Sequence, residues 1–135
     1  MHYIQILLLI MKIMLGIIIN KKNQKALYMN EDKTVKFANY EGVEVEPFFW
    51  YITLIDNEMT LFSNNSYLYY DTNNKKVKGY QFMIRWKFEE ENEKYYIYYE
   101  NKNNILTADG ENVIIKNQKI KEYQLFDFID ENTID

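Results

Sequence analysis

Three stretches decide how this chain folds: GIIINKKNQKALYMNEDKTVKF (residues 16–37), MTLFSNNSYLYYDTNNKKVKGY (59–80) and YYIYYENKNNILTADGENVIIK (95–116). Laid over one another, each begins with an apolar run. Each passes through an Asn- and Lys-rich turn to a leucine: Leu27, Leu68 or Leu106. A second polar turn then leads to Val35, Val77 or Val113. Downstream, FFWYI (48–52), IRWKF (84–88) and QLFDF (124–128) close each unit on Trp50, Trp86 or Phe126. Ile52, Phe88 or Phe128 follows two residues later. The leucines are 41 and 38 residues apart, and the closing aromatics 36 and 40. The chain is a threefold internal repeat, with the differences in length absorbed by loops.

The repeats read as strands. Trp50, Ile52 and Leu54 alternate with polar or small residues, as do the pairs Trp86/Phe88 and Phe126/Phe128, and period two belongs to extended chain. Turn signals recur every eight to twelve residues, at Asn23, Asn30–Asp32, Asn64–Asn65, Asp71–Asn74, Asn103–Asn104 and Asp109–Gly110. Gly is scarce at four residues, so Asn and Asp supply the left-handed turn positions instead. Three all-β units of about 40 residues are too few for most propellers. A closed barrel of three equivalent four-stranded units fits the count and leaves no free sheet edge.

These residues give the sequence a resemblance to the β-trefoil superfamily over about residues 13–130. ILTADG…V at 105–113 is similar to the repeat opening of ricin-B-like and fascin-like trefoils, and Gln124–Phe126 looks like the Gln-x-Trp that ends a ricin-type repeat. The resemblance implies an all-β β-trefoil in one domain, with repeats at about 13–55, 56–92 and 93–130. An apolar leader (1–12) precedes it and an acidic tail (131–135) follows. Twelve short strands are expected, with the leucines in one symmetric layer and the closing aromatics in another.

Composition removes several classes of function. The net charge is −4 and Arg85 is the one arginine, which argues against a nucleic-acid partner, since such binders need clustered positive charge. With no cysteine, thiol catalysis and Cys-based metal sites are excluded. The absence of cysteine also leans toward a cytoplasmic setting. His2 is the single histidine and lies in the leader, so no Ser–His or His–metal constellation can be built. Asn30–Asp32 and Asp71–Asn74 offer oxygen ligands without calcium-loop spacing and read as turns. Glu89–Glu91 with Glu93, and Asp127 with Asp130 and Glu131, read as solvated turn and tail. The expectation is a non-catalytic binding module with no cofactor and no metal.

The first nineteen residues, MHYIQILLLIMKIMLGIII, admit three readings. Gln5 and Lys12 break the stretch below the length of a membrane-spanning helix, so membrane insertion is not expected. A secretory signal would need a basic start and a small-residue cleavage site, and would make the protein secreted. The β-branched run Ile13–Ile19 favours the first strand, paired with a last strand at Tyr123–Ile129.

The trefoil resemblance implies glycan binding, with an aromatic for stacking and an Asp or Asn for hydroxyls. The position just after the repeat leucine, acidic in that family, is here Tyr28, Tyr69 or Thr107, and the nearest acids are Asp71 and Asp109. The family's Asn-Gln pair is reduced to Tyr123-Gln124. The candidate sugar-binding residues are Tyr69, Asp71, Asp109 and Gln124. One tyrosine of each pair Tyr69–Tyr70, Tyr95–Tyr96 and Tyr98–Tyr99 is expected at the surface. The alternative is a protein–protein interaction module acting through the acidic loop 39–48, with Tyr40, Glu41, Glu44 and Glu46.

Overall fold

The computed structural model describes residues 11–40 and 46–131. Twelve strands follow one another: β1 (Met11–Asn20), β2 (Ala26–Met29), β3 (Val35–Ala38), β4 (Trp50–Ile55), β5 (Glu58–Ser63), β6 (Ser66–Asp71), β7 (Lys76–Tyr80), β8 (Trp86–Glu91), β9 (Lys94–Tyr98), β10 (Ile105–Asp109), β11 (Asn112–Lys116) and β12 (Phe126–Asp130). Two short 3-10 turns, Glu46–Phe48 and Lys121–Gln124, are the helical segments among the described residues.

All pairings are antiparallel. β1 pairs with β4, β4 with β5, β5 with β8, β8 with β9, β9 with β12, and β12 again with β1. That ring is a closed six-stranded barrel. The hairpins β2–β3, β6–β7 and β10–β11 stand at one end of it. Backbone bonds tie them together, from the Phe37 N–H to the Glu111 carbonyl at 2.9 Å and from the Gly79 N–H to the Lys33 carbonyl at 2.7 Å. A six-stranded barrel capped by three hairpins in threefold repetition is the β-trefoil. The first and last strands meet as the sequence predicts, with Ile17 opposite Ile129 and Ile19 opposite Asp127. The last strand begins later than expected, at Phe126, because Lys121–Gln124 coils into a 3-10 turn.

Both sets of repeat residues lie in the core. Leu27, Leu68 and Leu106 are wholly buried, as are Trp50, Trp86 and Phe126, and all six share one core cluster with Ile18, Leu61 and Ile97. Each fully buried apolar side chain contributes about 1.5–3 kcal/mol. The indole N–H of Trp50 donates to the Leu27 carbonyl at 3.0 Å, and that of Trp86 to the Leu68 carbonyl at 2.9 Å. Each aromatic thereby locks its barrel strand to its own hairpin. Phe126 has no such donor and instead stacks on Phe37, with centroids 5.9 Å apart. Trp86→Phe keeps the ring but deprives a buried carbonyl of its donor. It should lower stability by about 1–3 kcal/mol. An unchanged urea midpoint would show that the indole bond contributes nothing.

The strands that open each repeat lack clean alternation, and the structure gives the reason. β1 sends Ile18 inward, while Ile17 and Ile19 face outward against Ala26 and Phe48. β9 sends Ile97 inward, while Tyr96 and Tyr98 pack with Ile105 and Leu125. Both faces are therefore dry: the connection before the closing aromatic folds back over the barrel wall. This corrects the expected exposure of the tyrosine pairs. Tyr96, Tyr98 and Tyr99 are buried, and Tyr69, Tyr70 and Tyr95 are half-buried. Burial pushes the Tyr98 hydroxyl up to about 12. Among the described residues the strongly exposed aromatics are Tyr51, Phe82 and Tyr123.

Candidate functional site

Three residues after each repeat leucine the chain places Asn30, Asp71 and Asp109, and the threefold arrangement puts them in equivalent positions at the end of β2, β6 and β10. Loop length sets their fates. Asn30 begins a long turn, and its side-chain amide donates to the Thr34 carbonyl and hydroxyl at 3.2 and 2.9 Å. Asp71 also begins a long turn, accepting from the Asn73 and Asn74 N–H groups and from the Asn74 amide at 2.8 Å. The Asn74 side-chain and backbone donors, with Lys78 adding to them, hold the Asp71 carboxyl below its ordinary range. The β10–β11 connection is tighter. Asp109 pairs with Asn112 across a two-residue turn whose first member, Gly110, has a φ of 61°. No longer turn is left to consume the carboxylate. Among the described residues the Asp109 carboxylate has no hydrogen bond or ion pair, and Asp109 is exposed.

Asp109 lines a pocket of about 470 Å³ with Thr107, Gly110, Lys116, Tyr123 and Asn23. Tyr123 stands on the 3-10 turn, 38% exposed, in the lining of the same pocket. Gln124, wholly buried, fixes that turn. Its Oε1 accepts from the Ile120 N–H at 2.6 Å, and its Nε2 donates to the Gln118 carbonyl at 2.8 Å and to Thr107 Oγ1 at 3.1 Å. The Thr107 hydroxyl donates in turn to the Ile105 carbonyl at 2.9 Å. Gln124 therefore has no polar atom left for a ligand and serves as the bracket between the turn and β10. Asn23 arrives from the first repeat, its amide donating to the Gly110 carbonyl at 3.1 Å. The pocket spans a seam between repeats and exists because β1 closes on β12.

The other two positions are altered. In the first repeat Tyr28, Asn30, Pro47, Tyr51 and Asn64 line an open recess of about 800 Å³, with Pro47 where Tyr123 stands in the third. In the second repeat Tyr69 takes the place of Thr107 and stacks on Tyr80, with centroids 4.5 Å apart, so rings fill the space. Ile84 replaces Gln124 and Met83 replaces Tyr123. Of the four residues singled out in the sequence for sugar binding, Asp109 and Gln124 come together at the third repeat, one in the pocket and one beneath it. Tyr69 and Asp71 lie on another hairpin and are engaged there. Tyr123, Asn23 and Lys116 also line the pocket without being among those four; the sequence marks Tyr123 only as the neighbour of Gln124 and Asn23 only as a turn. Tyr123 was within reach, three residues before the closing aromatic. In the alternative protein-binding loop, Tyr40 packs edge-on against Phe48 at 6.4 Å. Glu41 and Glu44 lie outside the described residues, and Glu46 begins the first 3-10 turn.

No protein-family model and no curated protein sequence matches the chain. Solved structures do. SeviL, a structure bound to asialo-GM1 saccharide, superposes with a TM-score of 0.74 at 16% identity, over 89% of this chain and 99% of that one. The Macrolepiota procera ricin B-like lectin in complex with lactose gives 0.73 at 14% identity, over 86% and 94%. ThreeFoil, a designed threefold-symmetric protein, gives 0.72 at 16% identity, over 86% and 98%. At such identities the likeness speaks for architecture, and the chain has the β-trefoil fold that ricin B-like lectins share.

Proposed function

We propose that the protein is a non-catalytic glycan-binding module whose sugar site is the third-repeat pocket. The observation that carries this reading is Asp109: of three equivalent polar residues, it is the one whose side chain is left without a partner, and an exposed tyrosine, Tyr123, lines the same pocket. A carboxylate accepts hydrogen bonds from sugar hydroxyls, and charged acceptors make the stronger bonds. The Tyr123 ring offers a flat apolar face to the C–H side of a pyranose, and its hydroxyl keeps the rim wet. Lys116 and Asn23 supply donors at the edge. SeviL and the Macrolepiota lectin, two neighbours solved with sugars, support the same ligand class. Glycoside hydrolysis works with a pair of carboxylates, and the lining of this pocket includes one, Asp109.

A glycan array should show binding by the full chain. Asp109→Ala and Tyr123→Ala should each weaken the best-bound sugar by about tenfold or more, because losing a charge-assisted hydrogen bond is worth about 1.5–3 kcal/mol. Both side chains are exposed, so the thermal midpoint should hardly move. A silent array, together with a single protein recovered by pull-down, would replace this reading with the protein-interaction alternative.

A further inference from the structure

The second repeat has lost the polar pocket and gained a different surface. At the loop after β7, Phe82 and Met83 are 59% and 55% exposed. They do not dangle. Phe82 rests edge-on against Tyr80 at 5.5 Å, and Tyr80 stacks on Tyr69. Behind this apolar tip lies the outer face of the β6–β7 hairpin. The register sets Tyr67 opposite Tyr80, Tyr69 opposite Lys78 and Asp71 opposite Lys76. Leu68, Val77 and Gly79 turn inward and are buried. Charge is distributed unevenly. The β6–β7 hairpin holds three cations, Lys75, Lys76 and Lys78, against one acid, Asp71, while the whole chain carries −4. Asp71 is taken by Lys78 at 3.4 Å, and Arg85 leans on Glu58 at 3.7 Å. Among the described residues Lys75 and Lys76 have no ion-pair partner, whereas Lys87 lies opposite Glu58 on the barrel.

We propose that this surface docks on an anionic lipid bilayer. A pair of exposed apolar side chains backed by tyrosines, next to a hairpin whose turn end carries the unpaired Lys75 and Lys76, suits the boundary between headgroups and acyl chains, where aromatic rings settle and basic residues meet lipid phosphates. Both apolar side chains stand more than half exposed, ready to insert rather than held in a groove. The positions equivalent to Phe82 and Met83 in the third repeat are Glu122 and Tyr123, which lack this character. The sugar pocket is one repeat away around the pseudo-threefold axis, so both surfaces can be engaged at once. Docking of this kind is peripheral and requires no membrane-spanning segment.

The test is co-sedimentation of the full chain with glycolipid-free vesicles of phosphatidylcholine alone or of phosphatidylcholine with phosphatidylserine. Binding should require phosphatidylserine and fade as salt is raised, since surface charge is screened. Phe82→Ser should lower the partition coefficient about tenfold or more, the scale of removing one buried aromatic contact. Lys75→Glu with Lys76→Glu should abolish the lipid selectivity. Both variants retain residues 1–12, so their difference from the wild type isolates the second repeat. Circular dichroism should match the wild type, because every substituted side chain is exposed. Asp109→Ala should bind vesicles normally, which separates this result from the fate of the sugar site. Equal binding to both vesicle types, no binding to either, or no change in Phe82→Ser would each overturn the proposal. Loss of an acidic protein partner on Phe82→Ser, with vesicles unbound, would overturn it in favour of protein docking.

Discussion

A chain beginning at Asn20 is expected to fail to fold, whereas one beginning at Met11 should unfold as a single cooperative unit. The shorter chain lacks nearly all of β1, and β1 is the strand that closes the ring. It pairs from Gly16 to Asn20 with β12 and from Met11 to Gly16 with β4. Its loss would strip the inner edge of both neighbours, leaving a row of backbone groups to find water or another chain. It would also remove Ile17, Ile18 and Ile19, all buried. At about 1.5–3 kcal/mol each, those three side chains alone approach the total stability of an ordinary domain, about 5–15 kcal/mol. A milder perturbation of the same seam is Gly16→Val. A Cβ on Gly16 would lie 2.5 Å from the Ile129 carbonyl oxygen, and that atom belongs to the facing backbone. β1 and β12 would have to separate, so this variant should be strongly destabilised while Ile13→Val, at a 64% exposed position, is neutral. Far-UV circular dichroism with urea titration reads all four proteins. A folded, cooperative protein starting at Asn20 would show that the barrel closes without β1.

The threefold pattern was legible because each repeat must put the same shapes in the same places. Leu27, Leu68 and Leu106 cannot drift without opening the cap, and Trp50, Trp86 and Phe126 cannot drift without opening the barrel. The outer packing was harder to read. Tyr96 and Tyr98 look like solvent-facing strand positions until the connection carrying Leu125 folds over them, and a period-two pattern contains no record of a loop returning from 27 to 29 residues downstream. The site was half legible for a similar reason. Asp71 and Asp109 occupy one position in the repeat and are the same residue type. What separates them is the number of residues in the following turn, which decides whether a carboxylate caps its own backbone or faces solvent. Asn23 could not be placed from its own repeat at all, because it reaches the pocket through the closure of β1 on β12.

Gln124→Ala is the other large effect, and it should strike stability and binding together. Gln124 is completely buried, and its amide makes three hydrogen bonds, to the Ile120 N–H, the Gln118 carbonyl and Thr107 Oγ1. Truncation leaves each of those groups without its partner and opens a void under the turn. Unsatisfied buried polar groups cost about 1–3 kcal/mol apiece, although the turn can relax toward water. A net loss of about 2–4 kcal/mol is therefore expected. The consequence for binding follows from position. Tyr123 precedes Gln124 in the same 3-10 turn, and Thr107 lies two residues before Asp109 in β10. The Gln124 amide is thus the strut that sets ring and carboxylate at a fixed separation. Without it both groups remain, but the turn samples other arrangements, and ordering it again must be drawn from the binding energy. Measured well below its own melting temperature, Gln124→Ala should bind the array-selected sugar about tenfold or more weakly, from a folded protein with Asp109 and Tyr123 intact. Asp109→Ala should show the converse, with affinity lost at an unchanged melting temperature. If Gln124→Ala were destabilised yet bound sugar as tightly as the wild type, the strut would be structural only, and the ring and carboxylate would owe their placement to the barrel alone.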